Sequence, residues 1–389
     1  MKILHCVESY FPSTGGMQEV VKQLSERLVK MGHEVTVATR KIPGRDFKEK
    51  NGVVIKEFDV SGNLVIGING ESEAYRKFLL ESNFDVVSFF AAQQWATDLA
   101  LDILPQIKGK KVSVPTGYSN FYHKDFKDYY SKMRSWIKNY DMNVYLSDNY
   151  RDIDFARENG VTKMEIIPNG AAEDEFLAEK KIDIRKKFNI PPQHPIILHV
   201  GSYTGRKGHR ETVEIFLKSR IGPATLLMIG NDYEKFYRQY IKHPSLGFSF
   251  LKNKLFGNKK IIFGSFPREL TVEAYRQSDV FLFPSNIECS PIVLFECAAA
   301  RLPFISTDVG NSREIAEWTA GGIITKTEKD QDGFSHAVID DAVKNLESLL
   351  AEPQRRRQMS EQAFLNWKEK FSWEKIAQRY ERMYLSLLK

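Results

Sequence analysis

Two glutamates with seven residues between them, Glu288 and Glu296, give the densest chemical signal in the chain. The apolar run before them, residues 280–283, reads as a strand that ends at Pro284-Ser285. Glu288 then falls on a loop. Pro291 suits the first turn of a following helix, so Glu296 falls a turn or more inside it. Ser290, Pro291, Ile292 and Val293 form the start of that helix, where unpaired N–H groups and the helix dipole favour an anion such as phosphate. A second candidate is the glycine loop Gly201-Ser-Tyr-Thr-Gly-Arg206-Lys207-Gly208, which follows another apolar run. Lys207 in that loop suits diphosphate binding. The loop is not a P-loop: the glycine spacing is wrong, and Gly208 stands where a Mg²⁺-binding Ser or Thr is needed. A third is Gly15-Gly16, just ahead of a helical pattern, where a backbone N–H could approach a phosphate. It lacks the GxGxxG of a nicotinamide site.

The elements that must carry these residues alternate regularly. Residues 2–7 read as a strand, and Val20, Val21, Leu24, Leu28 and Val29 recur at helical spacing before the stop at Gly32. Residues 34–39 are strand-like again, which makes a βαβ unit. Further strands are expected at 53–58, 85–90, 111–114, 142–146 and 165–167. A second alternation has strands at 196–200, 224–229, 260–263, 280–283, 303–306 and 322–325. Both halves therefore read as open, mostly parallel α/β domains, with ligands expected beyond the carboxyl ends of the strands. Pro191-Pro192-Gln193-His194-Pro195 is stiff, so the first domain is placed at 1–190 and the second at 191–370.

The chain has 389 residues, more than one core of roughly 250–300 residues accommodates. Its 42% hydrophobic and 27% charged residues exclude a mainly disordered, collagenous or coiled-coil chain. No apolar run approaches the ~20 residues of a membrane span, and the start is too briefly apolar for a signal peptide. A cytoplasmic protein is expected. Cys6, Cys289 and Cys297 form neither a disulfide framework nor a zinc pattern, and no metal site is expected. Asp152-Ile153-Asp154 has the letters of a DxD metal motif but falls on an expected helix. His5 and His199, inside apolar runs, read as core residues. The net charge of +6 suits an anionic ligand or an acidic membrane surface and does not indicate nucleic acid.

Taken in order, these pieces resemble the retaining GT-B glycosyltransferases of family four (glycosyl transferases group 1). The resemblance runs along nearly the whole chain. It includes the loop from Tyr10 to Gly16, the run Gly32-His33-Glu34-Val35-Thr36-Val37, and Ile167-Pro168-Asn169-Gly170. It continues through the 200–208 loop, Tyr275 with Ser278-Asp279-Val280, the two glutamates, and Leu302-Pro303 to Glu314. It implies two Rossmann-like doubly wound α/β domains facing a central cleft, with a last helix, 371–389, crossing back to the first domain. It also implies a nucleoside-diphosphate sugar held as donor substrate, with no further cofactor. Lys207, and Arg206 as a second cation, would neutralise the diphosphate. Gly16, with Gly15 and Gly201 beside it, would bring backbone close to the same group. Glu288 would bind donor-sugar hydroxyls and Glu296 the ribose, since a carboxylate takes two neighbouring hydroxyls as paired hydrogen bonds.

The chain departs from the family in two places. Ser202 stands where many members carry arginine, and Thr116 where many carry a histidine near the acceptor; His123 lies a few residues on. The expected activity is metal-independent, retaining transfer of a sugar to a glycan or lipid-linked acceptor in surface polysaccharide or glycoconjugate synthesis, catalysed by Glu288 and Lys207. Two other readings stay open: a non-catalytic nucleotide-sugar-binding partner subunit, and a GT-B nucleotide-sugar epimerase. Residues 121–138 and 233–260 mix bases with aromatics. The first is either an ordinary amphipathic helix with a solvated basic face or a contact to an anionic membrane on its inner face; the second, long for a connection, reads as a lipid or partner contact, and the same residues could hold an anionic polymer.

Overall fold

The computed structural model describes residues 1–13, 15–231, 234, 238 and 258–389. The chain forms two compact units, Met1–Asn169 with Trp373–Lys389, and Gly170–Ser372.

The first unit is built on an eight-stranded sheet. Its strands are β1 (Lys2–Cys6), β2 (Glu34–Arg40), β3 (Glu49–Lys50), β4 (Val53–Phe58), β7 (Val86–Phe90), β8 (Lys110–Val114), β9 (Met142–Tyr145) and β10 (Met164–Ile166). The order is β10-β9-β8-β7-β1-β2-β4-β3, parallel throughout except for the short edge strand β3. β5 (Val60–Asn63) and β6 (Gly67–Gly70) form a separate hairpin. Side chains alternate along β1: Leu4 and Cys6 enter a large core with Phe89, Trp95 and Tyr145, while His5 on the opposite face meets Ser25 of the helix Gly16–Lys30. The helix Trp373–Leu387 completes that second face. Arg27 pairs with Glu374 at 2.6 Å, His33 with Glu381 at 2.8 Å, and the Tyr384 hydroxyl lies 2.7 Å from Ser88 Oγ.

The second unit has six parallel strands: β11 (Ile196–Val200), β12 (Ala224–Ile229), β13 (Lys259–Gly264), β14 (Val280–Phe283), β15 (Phe304–Ser306) and β16 (Gly322–Ile324). Their order is β13-β12-β11-β14-β15-β16, the doubly wound 3-2-1-4-5-6 pattern. The apolar runs seen in sequence are strands buried on both faces. Leu198, Leu227, Phe281 and Phe283 enter one core; Ile197, Leu226, Met228, Val280 and Leu282 enter the other.

The division between the units falls at 169/170, not at the proline run near 191. Residues 171–190 belong to the second core: Ala171, Phe176, Ile184 and Ile190 pack there, and Trp367 Nε1 donates to Ala171 O at 3.2 Å. Pro191 and His194 instead form a tight turn held by the Arg185 guanidinium. The return crossing at 372/373 lies beside the first, through the bridge between Ala171 and Ser372.

Of the two basic–aromatic stretches, 121–138 turns its aromatic residues inward. Phe126, Tyr129 and Tyr130 are buried, Tyr122 is 76% exposed, and the exposed face carries Lys124, Lys127, Lys132, Arg134 and Lys138. The stretch is amphipathic, and its exposed face carries these bases together with Asp125 and Asp128. Most of 233–260 lies outside the described residues. Its last two lysines are structural ties: Lys259 Nζ reaches Phe216 O and Ser219 O at 2.5 Å, and Lys260 Nζ reaches Phe188 O at 2.6 Å. Among the described residues no helix is long and apolar enough to cross a membrane.

Candidate functional site

In a doubly wound sheet the strand order reverses at one point, and the loops diverging there leave a crevice. In the second unit that point lies between β11 and β14. The loop after β11 carries Lys207 and the loop after β14 carries Glu288, 81 positions on. Their side chains meet: Lys207 Nζ lies 2.7 Å from Glu288 Oε1. Ser285 Oγ donates to the same carboxylate oxygen at 2.7 Å. The pair is anchored on both sides but not sealed, with the Lys207 side chain 29% exposed and that of Glu288 10%.

Backbone requirements explain the sequence around the pair. Gly208 has φ +67°, and a Cβ there would stand 1.9 Å from Pro284 O, so only glycine lets the two loops touch. Asn286 N donates to Arg206 O at 3.0 Å, and Asn286 Nδ2 reaches Ser335 O and Glu211 Oε1. Thr307 Oγ1, after β15, donates to Ser285 O at 2.6 Å. Gly201 closes β11, its N–H donating to Ile229 O at 2.9 Å. Arg206 does not join Lys207; its guanidinium rests 4.9 Å above the Phe334 ring.

Ser290 and Pro291 precede the helix Ile292–Ala299, so Pro291 is the residue ahead of the first turn rather than within it. Ile292 and Val293 open the helix, and Glu296 sits one turn in. Its side chain is only 6% exposed and bonds Arg268 at 2.5 Å. Arg268 also takes Glu175, at 2.6 and 3.1 Å. Burial draws the Arg268 pKa down, but the carboxylates of Glu296 and Glu175 outweigh it and hold the guanidinium well above its usual range. The sequence reading missed both Arg268 and Glu175. They lie 28 residues before Glu296 and before the proline run, respectively, and no local pattern marks them.

Two histidines sit beneath the Lys207 loop. His199 donates from Nδ1 to Leu282 O at 2.8 Å, and His209 from Nε2 to Gly201 O at 3.2 Å. Burial lowers their pKa values to about 4 and about 2. The unfolded chain protonates them near 6.5. Between those values the unfolded state binds more protons, so stability present above pH 6.5 is lost as pH falls. Each ring contributes about 2 kcal/mol of loss by pH 5. In the first unit His5, lowered to about 3, acts with the same sign, but Asp98 and Asp152, raised by burial to about 6, act with the opposite one. Hydrogen exchange at pH 7.5 and pH 5, read by mass spectrometry and corrected for intrinsic rates, should therefore show β11 and β14 losing more protection than β1 and β7. Equal losses would contradict this account.

In the first unit, Gly15 precedes the helix Gly16–Lys30, whose start follows β1 at that sheet's own reversal point, between β1 and β7. Gly15 O accepts Glu19 N at 3.0 Å. The loops after β7 and β8 hold Ala91, Gln93, Thr116 and Tyr118 at positive φ. Strained backbone of this kind concentrates at functional sites. Nothing in the apolar pattern of those strands announces it. His123 is exposed and faces Asp125 at 3.7 Å. Asp152 and Asp154 lie on the helix Arg151–Glu158, one buried and one exposed.

Comparison with known proteins agrees with this geometry. Residues 14–175 match the profile described as Glycosyltransferase Family 4, and residues 180–365 that of Glycosyl transferases group 1. The chain is a GT-B glycosyltransferase of the family-four type. Among similar glycosyltransferases is the N-acetyl-alpha-D-glucosaminyl L-malate synthase of Bacillus anthracis, 22% identical over 97% of this chain and 96% of that protein. The lipopolysaccharide glucosyltransferase WaaG of Escherichia coli is 25% identical over 84% of this chain and 86% of its own length. Among solved structures, Anabaena HepE in complex with UDP superposes with a TM-score of 0.76 at 13% identity, over 99% of this chain and 100% of that one. Ser202 is exposed on the Lys207 loop, and Thr116 holds a left-handed backbone at φ 57° after β8.

Proposed function

We propose that this protein is a metal-independent, retaining glycosyltransferase. It takes a sugar from a nucleoside diphosphate and gives it to a glycan or lipid-linked acceptor, in surface polysaccharide or glycoconjugate synthesis. The observation that carries the reading is the Lys207–Glu288 pair at the strand-order reversal of the second unit. Breaking the sugar–oxygen bond leaves charge on the departing diphosphate. A fixed ammonium and the N–H groups at the start of the helix Ile292–Ala299 act where that charge grows. Glu288, already held by Ser285, offers a carboxylate to sugar hydroxyls once Lys207 turns to the diphosphate. Glu296, oriented by Arg268, offers one to the ribose. The new bond forms at the acceptor hydroxyl on the face the diphosphate leaves, and the hydroxyl proton passes to a departing phosphate oxygen. Family profiles over both units and the UDP bound by HepE support a nucleotide-sugar donor. The exposed lysines of 121–138 suit an anionic membrane surface as the place of work.

A thermal-shift series with UDP, GDP, ADP and their common sugar conjugates, with and without EDTA, tests this. One nucleotide family at 100 times its Kd should add about 2.7 kcal/mol of stability, undiminished by the chelator. No shift with any nucleotide would sink the donor site. Transfer abolished by EDTA and restored by a divalent cation would sink metal independence alone.

A further inference from the structure

The first unit holds polar side chains at the carboxyl ends of β7, β8 and β9, and one of them, Gln93, keeps an unsatisfied amide among the described residues. Gln93 is 9% exposed, and its Nε2 has no hydrogen-bond partner. A buried donor without a partner is costly, so the Gln93 amide implies a ligand or water that completes it. The place is where an open α/β sheet binds ligands.

The Gln93 amide is held firmly. Its Oε1 accepts Ser119 Oγ at 3.3 Å. Its backbone N–H, at φ 63°, donates to the Tyr129 hydroxyl at 3.0 Å, and that hydroxyl donates to buried Asp98 at 2.8 Å. Ser119 also ties in a cation: Arg151 Nη1 donates to Ser119 O at 3.4 Å. The Arg151 guanidinium lies over the rings of Tyr150 at 5.0 Å and Tyr122 at 5.5 Å. Its charge is felt by the Tyr130 hydroxyl and the buried Asp152 carboxylate, but among the described residues no carboxylate sits on its N–H groups. The neighbouring carboxylate, Asp152, is buried and takes the N–H groups of Ile153 and Gly117 instead.

A guanidinium held against aromatic rings, with no carboxylate on its N–H groups, matches an oxyanion through paired N–H donors. We propose that Arg151 and the Gln93 amide form a subsite for an anionic group, phosphate or carboxylate, on the molecule that receives the sugar. The acceptor role rests on the transferase reading; the anion preference does not. Asp98 and Tyr129 are positioning residues that fix the left-handed turn at Gln93.

The test is equilibrium binding of glucose 6-phosphate, glucuronate and glucose to the full chain, with nucleotide binding measured separately. Both anionic probes should bind about tenfold more tightly than glucose. Arg151→Ala should abolish that preference, Arg151→Lys should retain part of it, and Gln93→Asn should weaken both anionic probes severalfold. Nucleotide binding should be unchanged in all three variants, and calorimetry with the first unit's transition at its wild-type temperature reports that they fold. Lys207→Ala should keep the preference, since the probes do not occupy the Lys207 loop. The subsite is overturned if glucose binds wild-type protein as well as the anionic probes do. It is equally overturned if the preference survives Arg151→Ala or disappears in Lys207→Ala. Anion preference without nucleotide binding would overturn the transferase reading and leave the subsite standing.

Discussion

Lys207→Ala should lower kcat/KM for sugar transfer by about 10²–10³-fold, the usual cost of deleting one fixed group that meets developing charge. Most of the loss should appear in kcat, because the diphosphate carries more charge on its bridging oxygen as the sugar departs than it does in the bound donor. The fold should survive. Lys207 and Glu288 are partly solvated, and the loop is fixed by Gly208 against Pro284 and by Asn286 against Arg206 O, none of which needs the ammonium. Melting within a degree or two of wild type, together with the kinetic loss, separates chemistry from stability. Lys207→Arg is the informative companion. A guanidinium restores the charge but must fit beside Glu288 Oε1, where the ammonium stands at 2.7 Å with Ser285 Oγ on the same oxygen. Partial recovery is expected. Full activity in Lys207→Ala would show that the pair is a surface ion pair with no part in the reaction.

What the sequence conveys about this site depends on how local each cause is. The strands that carry Lys207 and Glu288 are legible because both faces of a central parallel strand are buried, so Ile196 to Val200 and Val280 to Phe283 are almost wholly apolar, broken only by buried His199. Glycine at 208 is legible for an equally local reason: its backbone takes φ +67° at the entry to the next helix, a conformation that favours glycine. The proline run near 191 misled because stiffness marks a turn, while a domain boundary depends on which core Phe176 and Ile184 enter. The short strands β3, β5 and β6 escape pattern reading because few of their residues are buried. The left-handed backbone at Thr116 and Tyr118 flanks Gly117, but Gln93 has no glycine beside it to signal its turn; it is held by Tyr129 and, through it, Asp98, from other parts of the chain. Arg268 is the extreme case. Its neighbours in sequence are ordinary helix residues, and its meaning lies wholly in two carboxylates on other elements.

Arg268→Ala should therefore strongly destabilise the second unit, though by less than the roughly 3–5 kcal/mol of a fully buried pair, because the arginine side chain is 39% exposed. The arginine bridges Glu175, in the segment that follows the boundary, to Glu296, one turn into the helix Ile292–Ala299. Its removal leaves the Glu296 carboxylate, 6% exposed, without a cation and beside a second negative charge. Solvent reaches Glu175 more easily, at 23% exposure, so the cost concentrates at Glu296. Calorimetry should show one unfolding transition moving down while the other stays, since the Arg268 partners among the described residues, Glu175, Glu296 and Phe176, all belong to the second unit. Arg268→Met with Glu296→Gln separates the two parts of this argument. Removing both charges should recover most of the stability, because a buried ion pair contributes little net when neither partner is left alone. Under the proposed function it should not recover nucleotide binding, because the amide that Glu296→Gln introduces is a weaker acceptor for ribose hydroxyls than the carboxylate. A double variant that regains stability but not binding would assign Arg268 its role as the residue that keeps Glu296 charged and aimed. A double variant that regains neither would place the cost in lost packing, where the guanidinium lies 5.8 Å from the Phe176 ring, rather than in charge.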